Sequence, residues 1–193
     1  MAQAILAPGS LQVSPLWSER TFHFPSDDSS LMVEASLERR TELLALLDEK
    51  FDPDGAVSTA DADRFAAVYV PGGTLSMHPP LGDGKARPVE VHARAMKKGM
   101  KPGQLVYSNR RVTFHPDGLR VAEFHTVRRE HHKRTFDVII VFRCTIVSGT
   151  GPRVEEMHEV TAPDEAKAMA WLQERFQWPE GAHFTLHKAQ AAL

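Results

Sequence analysis

His78, Asp137 and His125 are the side chains of this 193-residue chain whose type and setting fit proton-transfer chemistry. His78 ends the run Thr74-Leu75-Ser76-Met77 and stands directly before Pro79, which holds the preceding backbone extended. An imidazole near its unperturbed pKa of about 6.5 serves as base or acid at neutral pH. A histidine hydrogen-bonded within a loop is the plainer alternative. Asp137 lies between Phe136 and Val138 in a strongly apolar run. A carboxylate there is costly unless it is paired, protonated or facing a wet cavity. Strand alternation puts Asp137, Ile139, Val141 and Arg143 on one face, yet at roughly 3.3 Å per residue Arg143 is about 20 Å away and cannot pair with it. Asp137 therefore needs His125, a ligand, or an Arg or His of a neighbouring strand. Protonated, it would donate a hydrogen bond to a developing oxyanion.

Other polar residues fall into face-sharing sets. His125 and Glu123 share one face of a strand, as do Tyr107 and Asn109 of the preceding one. On a concave face they would orient a polar ligand; a solvent or dimer face suits Glu123 better. His158 and Glu159 point to opposite faces, so at most one enters any cavity.

Several chemistries find little support. The ten histidines include no His-x-His or His-x-Glu spacing, and HExxH and Cys-x-x-Cys are missing too, so a metal site would have to be assembled from separate strands. His131-His132, followed by Lys133-Arg134, reads as a solvated turn. The Gly82-Asp83-Gly84-Lys85 loop lacks phosphate-loop spacing. The single Cys144 sits in the most apolar strand and reads as a buried structural thiol suited to a reducing compartment. A formal net charge of −2 gives no general attraction to nucleic acid or anionic membrane. The N-terminus lacks a basic segment and no run reaches the roughly 18 apolar residues of a membrane span, so a cytoplasmic location is expected.

The elements that must position these residues follow from periodicity. Residues 1–30, with Pro8, Pro15, Pro25 and a Ser/Asp cluster, read as an irregular extension that Trp17, Phe22 and Phe24 would pin. Residues 31–51 carry a helical stripe through Leu37, Leu44, Leu47 and Phe51, widened by Leu43 and Leu46. A capping box with Ser58 as N-cap predicts a second helix to about Tyr69. A brief strand over 74–78, a glycine-rich loop and a third helix opened by Pro88 follow. Residues 105–115, 120–130, 134–147 and 153–161 read as an antiparallel meander, being rich in Val, Ile, Thr and Phe and separated by short turns. The third is apolar on both faces, so helices would cover one and a second subunit would serve for the other. A helix over 164–176 and a loose tail, 177–193, end the chain. Helices segregated from antiparallel strands mean an α+β domain over 31–176.

In this order the elements resemble, over about residues 35–176, the cone-shaped fold of nuclear transport factor 2 (NTF2-like), ketosteroid isomerase and SnoaL-like polyketide cyclases. Ala66-Ala67-Val68-Tyr69-Val70-Pro71-Gly72-Gly73-Thr74 resembles the family's short helix, turn and first strand. Leu75-Ser76-Met77-His78-Pro79 is similar to the place where its isomerases carry an acid before proline, and the run from Phe136 to Arg143 to a central strand that can bear a pocket-facing acid. The resemblance implies helices packed on a curved antiparallel sheet, with His78 at the cone mouth. It implies a cofactor-independent and metal-free isomerase, cyclase or dehydratase acting on a largely apolar cyclic or polyketide-like molecule, and a homodimer formed through the sheet. His78 would be the base, Asp137 and His125 the enolate stabilisers, and Tyr69, Tyr107, Asn109, Arg143 and His158 the substrate contacts. Two departures mark it off from the isomerases: residues 37–51 hold no tyrosine, and His78 stands where the base carboxylate would. A non-catalytic ligand-binding or assembly module is the alternative.

Overall fold

The computed structural model describes residues 37–188; the expected N-terminal extension, with Trp17, Phe22 and Phe24, lies outside the described residues. Helices α1 (Leu37–Phe51) and α2 (Ala62–Ala67) lead into strand β1 (Tyr69–Met77), a two-residue β2 (Arg87–Pro88) and helix α3 (Val89–Gly99). Strands β3 (Leu105–Phe114), β4 (Arg120–Arg129), β5 (Arg134–Val147) and β6 (Gly151–Thr161) form the expected meander, followed by α4 (Glu165–Phe176) and β7 (Thr185–Lys188). These strands form one sheet in the order β2-β1-β6-β5-β4-β3-β7. The sheet is mixed rather than purely antiparallel, because β1 joins beside the last meander strand and runs parallel to it.

Local chemistry accounts for the helix positions. In α1 the buried residues are Leu43, Leu46, Leu47, Lys50 and Phe51, whereas Leu37 is 82% exposed. The second helix starts later than its capping box predicts. Asp61, not Ser58, is the N-cap, accepting from the amides of Asp63 and Arg64. Asp164 caps α4 through the Lys167 amide as its position suggests. Among the described residues no helix is long and apolar enough to cross a membrane.

Two cores lie on the two faces of the sheet. Val138, Ile140 and Phe142 of β5 pack with Leu43, Leu47, Phe51 and Phe65 on the face covered by α1 to α3. Ile139 and Val141 pack with Ala122, Phe124, Ala168, Leu172 and Trp178 on the other. The chain's own α4 thus covers the second face of β5, and no further subunit is required there. Cys144 is buried in the first core, and burial pushes its thiol up to about 12, as suits an inert structural cysteine.

A bulge in β3 decides which polar residues point inward. Ser108 pairs with Thr126 but Arg111 with Phe124, so β3 spends one residue more than β4 between these points. Asn109 takes up the slack at φ 53 and is exposed, while Arg110 turns into the interior. Asn109 therefore does not share the inward face of Tyr107, as plain alternation requires. Arg110 donates to both oxygens of Glu123, to Asp48 at 3.0 Å and to Asp52 at 2.5 Å. Glu123 is fully buried, not solvent- or dimer-facing. Burial works against its ionised form, but His125 and Arg110 hold its pKa below the usual carboxylate value.

The same cluster fixes part of the expected loose tail. His187 Nε2 lies 2.8 Å from Asp48 Oδ1, and Lys188 pairs with Asp52 and, at 3.2 Å, with Asp48. These contacts hold β7 against β3 as a seventh strand. Arg110→Met leaves Glu123 buried without its cation. It is expected to lower the unfolding free energy by about 3–5 kcal/mol, read from the urea midpoint at an unchanged m-value.

Candidate functional site

A cavity of about 290 Å³ lies between the three N-terminal helices and the facing side of the sheet. Its wall is mostly apolar, with Phe51, Phe65 and Phe136, and with four methionines, Met77, Met96, Met100 and Met157. Lys50, His92, Tyr107, Arg129 and Glu159 supply the polar groups. Few polar groups converging in an apolar concavity is the usual form of a small-molecule site.

Lys50 is the most constrained of these. It is 1% exposed, and its Nζ donates to Tyr69 Oη at 2.5 Å while resting against Met157 Sδ. The Tyr69 hydroxyl in turn donates to Met157 Sδ at 3.1 Å. Four rings surround the nitrogen, those of Phe51, Phe65, Tyr69 and Phe142, with centroids 5.2, 4.8, 4.9 and 5.2 Å away. No carboxylate forms an ion pair with it among the described residues. Burial lowers the Lys50 pKa to about 7, against the pull of Glu159 and Glu123.

Glu159 moves the other way. Burial raises its pKa, opposed by His125, Lys50 and Arg129. One apolar cavity therefore drives an amine and a carboxyl group towards their uncharged forms. Burial raises Tyr69 and Tyr107 well above the usual phenol value, so both hydroxyls remain protonated donors at neutral pH. His92 is lowered by burial and by Lys50, and its Nε2 is buried without a hydrogen-bond partner among the described residues.

His125 stands directly behind this lining. It is fully buried, edge-on to Phe51 and Tyr107 with centroids 5.2 and 4.9 Å away. Its Nδ1 is 3.3 Å from Glu123 Oε1 but poorly aligned, and neither ring nitrogen has a hydrogen-bond partner among the described residues. Tyr107 is part of the lining, whereas Tyr69 is not and meets it only through its contact with Lys50.

The remaining expected residues lie elsewhere. His78 and His158 meet on the α4 face, Nε2 to Nδ1 at 3.3 Å, with Trp171 against the first and Phe176 against the second. Asp137 follows the parity of Ile139 and Val141 onto that same face. Its partner is the Thr126 hydroxyl directly across the strand pair, donating at 2.6 Å. Arg143 pairs there with Glu155 and Glu156 at 3.3 and 2.9 Å. The structure thus separates His78, Asp137, Arg143 and His158 from the cavity, and Asn109 is turned out by its bulge. Of the pair His158 and Glu159, Glu159 enters.

Lys50, Glu159 and His92 were not among the expected site residues, although each has a signal. Lys50 follows Leu43, Leu46 and Leu47 by seven, four and three residues, a core position occupied by a charge. Glu159 alternates with Met157. His92 lies one helical turn before Met96, on the face of α3 that lines the cavity.

No family model matches the chain, and no curated protein does. Among solved structures, a nuclear transport factor 2-like protein with a cystatin-like fold from Novosphingobium aromaticivorans aligns at TM-score 0.52 and 15% identity, covering 71% of this chain and 90% of that one. A protein of unknown function with a cystatin-like fold from Methylobium petroleophilum aligns at 0.51 and 14%, covering 68% and 82%. ActVI-ORFA from Streptomyces coelicolor aligns at 0.45 and 10%, covering 63% and 96%. The chain has the nuclear transport factor 2-like fold, an α+β fold as its element order implies.

Lys50 has a folded pKa of about 7, well below the 10.5 of an ordinary lysine. Between about pH 7 and that value the unfolded chain binds a proton that the native protein does not, so stability rises with pH across the window. Below about pH 7 the cost of the buried ammonium is fully present. Lys50→Met removes this cost. The variant is expected to be more stable than the parent by about 2–4 kcal/mol at about pH 6, and the gain should shrink towards about pH 9, read by urea unfolding at both.

Proposed function

We propose that the protein is a cofactor-independent acid–base enzyme that isomerises, cyclises or dehydrates a small, largely apolar carbonyl compound inside the cone. The observation that carries this reading is the pairing of Lys50 and Glu159. Both line one mostly apolar cavity that favours the neutral amine and the neutral acid. A base with a pKa near the working pH combines the correct protonation state with useful proton affinity. Neutral Lys50 takes a proton from the carbon beside the carbonyl. The Tyr107 hydroxyl, in the same lining, donates to the oxygen on which charge develops. Glu159 returns a proton at the position where the rearranged product requires it, or to a departing hydroxyl. Tyr69 fixes the direction of the Lys50 side chain through the contact at its Nζ.

Arg110 and Glu123 take no part in proton transfer on this reading, since they neutralise each other behind His125. The α4 face, with His78, Asp137 and His158, is not needed for the reaction.

The test is exchange of the α-protons of a cyclic ketone in D2O, followed by NMR. The protein should accelerate exchange, and Lys50→Met should lose about 10²–10⁴-fold in kcat/KM. His78→Ala and Asp137→Asn should retain the parent rate. With pH, kcat/KM should rise through about 7 as Lys50 loses its proton. Exchange unaffected by Lys50→Met would sink the assignment.

A further inference from the structure

The position of Lys50 in its cage does more than hold a base. Its nitrogen donates to the Tyr69 oxygen and, at 2.7 Å, to Met157 Sδ, and the Tyr69 hydroxyl donates to the same sulfur at 3.1 Å. An N–H of Lys50 fills each of its two contacts. In the neutral amine the lone pair is therefore left without a donor among the described residues. Lys50 belongs to the lining of the cavity. The four ring contacts at 4.8 to 5.2 Å form a setting for a cation at that nitrogen, yet no carboxylate is ion-paired there among the described residues. A protonated amine can leave this apolar setting by losing its proton. A cation without that escape is what such a cage retains.

We infer that Lys50 is a nucleophile, condensing through its side-chain amine with the carbonyl carbon of the substrate to give a protonated imine held among Phe51, Phe65, Tyr69 and Phe142. The inference rests on the carbonyl-compound reading above and names the covalent form that the substrate takes.

Attack forms the C–N bond and moves the carbonyl π pair onto oxygen. A proton passes from nitrogen to that oxygen by way of the Glu159 carboxyl, giving a neutral carbinolamine. The Glu159 proton then takes the hydroxyl off as water, while the nitrogen lone pair closes the C=N bond. One amine, one carbonyl and one carboxylic acid have become one iminium, one water and one carboxylate. Charge appears as a pair inside the cavity, the iminium among the rings and the carboxylate on Glu159. The iminium draws electrons from the adjacent C–H bond more strongly than the carbonyl does, and the Glu159 carboxylate is left as the base that removes this proton. Hydrolysis runs the same steps backwards and frees Lys50. A desolvated lysine is the usual amine for such chemistry, because a larger fraction of it is neutral at pH 7.

The test uses the whole protein, cyclohexanone as the carbonyl probe and sodium cyanoborohydride as the reductant. Hydride reduces the iminium to a secondary amine. The expected result is a gain equal to the mass of the ketone less one oxygen atom, mapped by peptide mass spectrometry to Lys50. Labelling of Lys50 should exceed that of exposed lysines such as Lys97 and Lys133 by about tenfold or more. Lys50→Arg keeps a cation but cannot form an imine, and should carry no adduct at that position. Mapping the parent protein decides the matter even where the variant fails to fold. Labelling of Lys50 no greater than that of the exposed lysines overturns the inference. If α-proton exchange of the same ketone persists without an adduct, covalent catalysis falls and the acid–base reading stands. If both are absent, both fall.

Discussion

A single guanidinium set among three carboxylates ties the sheet to the end of α1. Arg110 reaches from β3 to Glu123 on β4, to Asp48 in the last turn of α1 and to Asp52 directly after it. Both aspartates stand at the C-terminal end of the helix, where its dipole disfavours negative charge. Arg110 offsets this repulsion, with Lys188 and His187 added from β7. The cluster ties three separate stretches of chain to one end of one helix. Lys50 and Phe51 stand between Asp48 and Asp52, so the contacts that anchor the aspartates also fix the direction in which Lys50 projects. The ion pairs are worth less as a source of net stability than as a constraint on geometry, because burying so many charges returns most of the attraction as desolvation.

Charge is consequently sorted into two regions. Around Arg110 opposite charges meet at hydrogen-bond distance and Glu123 stays ionised. In the cavity Lys50 and Glu159 have no such close partner, and burial acts on each with little relief. His125 lies between the two regions, beside Glu123 yet packed against Phe51 and Tyr107. The separation lets the protein keep strong permanent ions within a few residues of Lys50, whose pKa is brought to about 7. A lysine placed among phenyl rings is expensive to the fold.

The parts of this arrangement that could be read in the sequence depend on local signals. The four meander strands carry β-branched and aromatic runs between turn residues, and α3 and α4 open at Pro88 and Asp164, so their limits were legible to within a few residues. Alternation also told which residues go together: Asp137 with Arg143, His125 with Glu123, and His158 apart from Glu159. It did not tell which face is concave. That depends on where α1 and α4 dock, a long-range outcome with no trace in any one strand, and it moved His78, Asp137, Arg143 and His158 away from the cavity. The bulge at Asn109 is a different failure, for one extra residue reverses the parity of everything after it. Lys50 was visible as a charge within an apolar stripe, while β7 was hidden because its docking rests on ion pairs with residues far back in the chain.

The four methionines of the cavity wall have a consequence for what the site can discriminate. A thioether chain is unbranched and turns about three bonds, so Met77, Met96, Met100 and Met157 can refit themselves to the outline of a guest. Lys50, Tyr107 and Glu159 are held on α1, β3 and β6 and cannot. On the reading proposed above, selectivity would fall on the position of the reactive carbon and on total bulk, and only weakly on the contour of the hydrocarbon. The same sulfur atoms make the wall sensitive to peroxide. On the same reading, conversion of one thioether to its sulfoxide would place a strong dipole inside the cavity and weaken the binding of apolar guests.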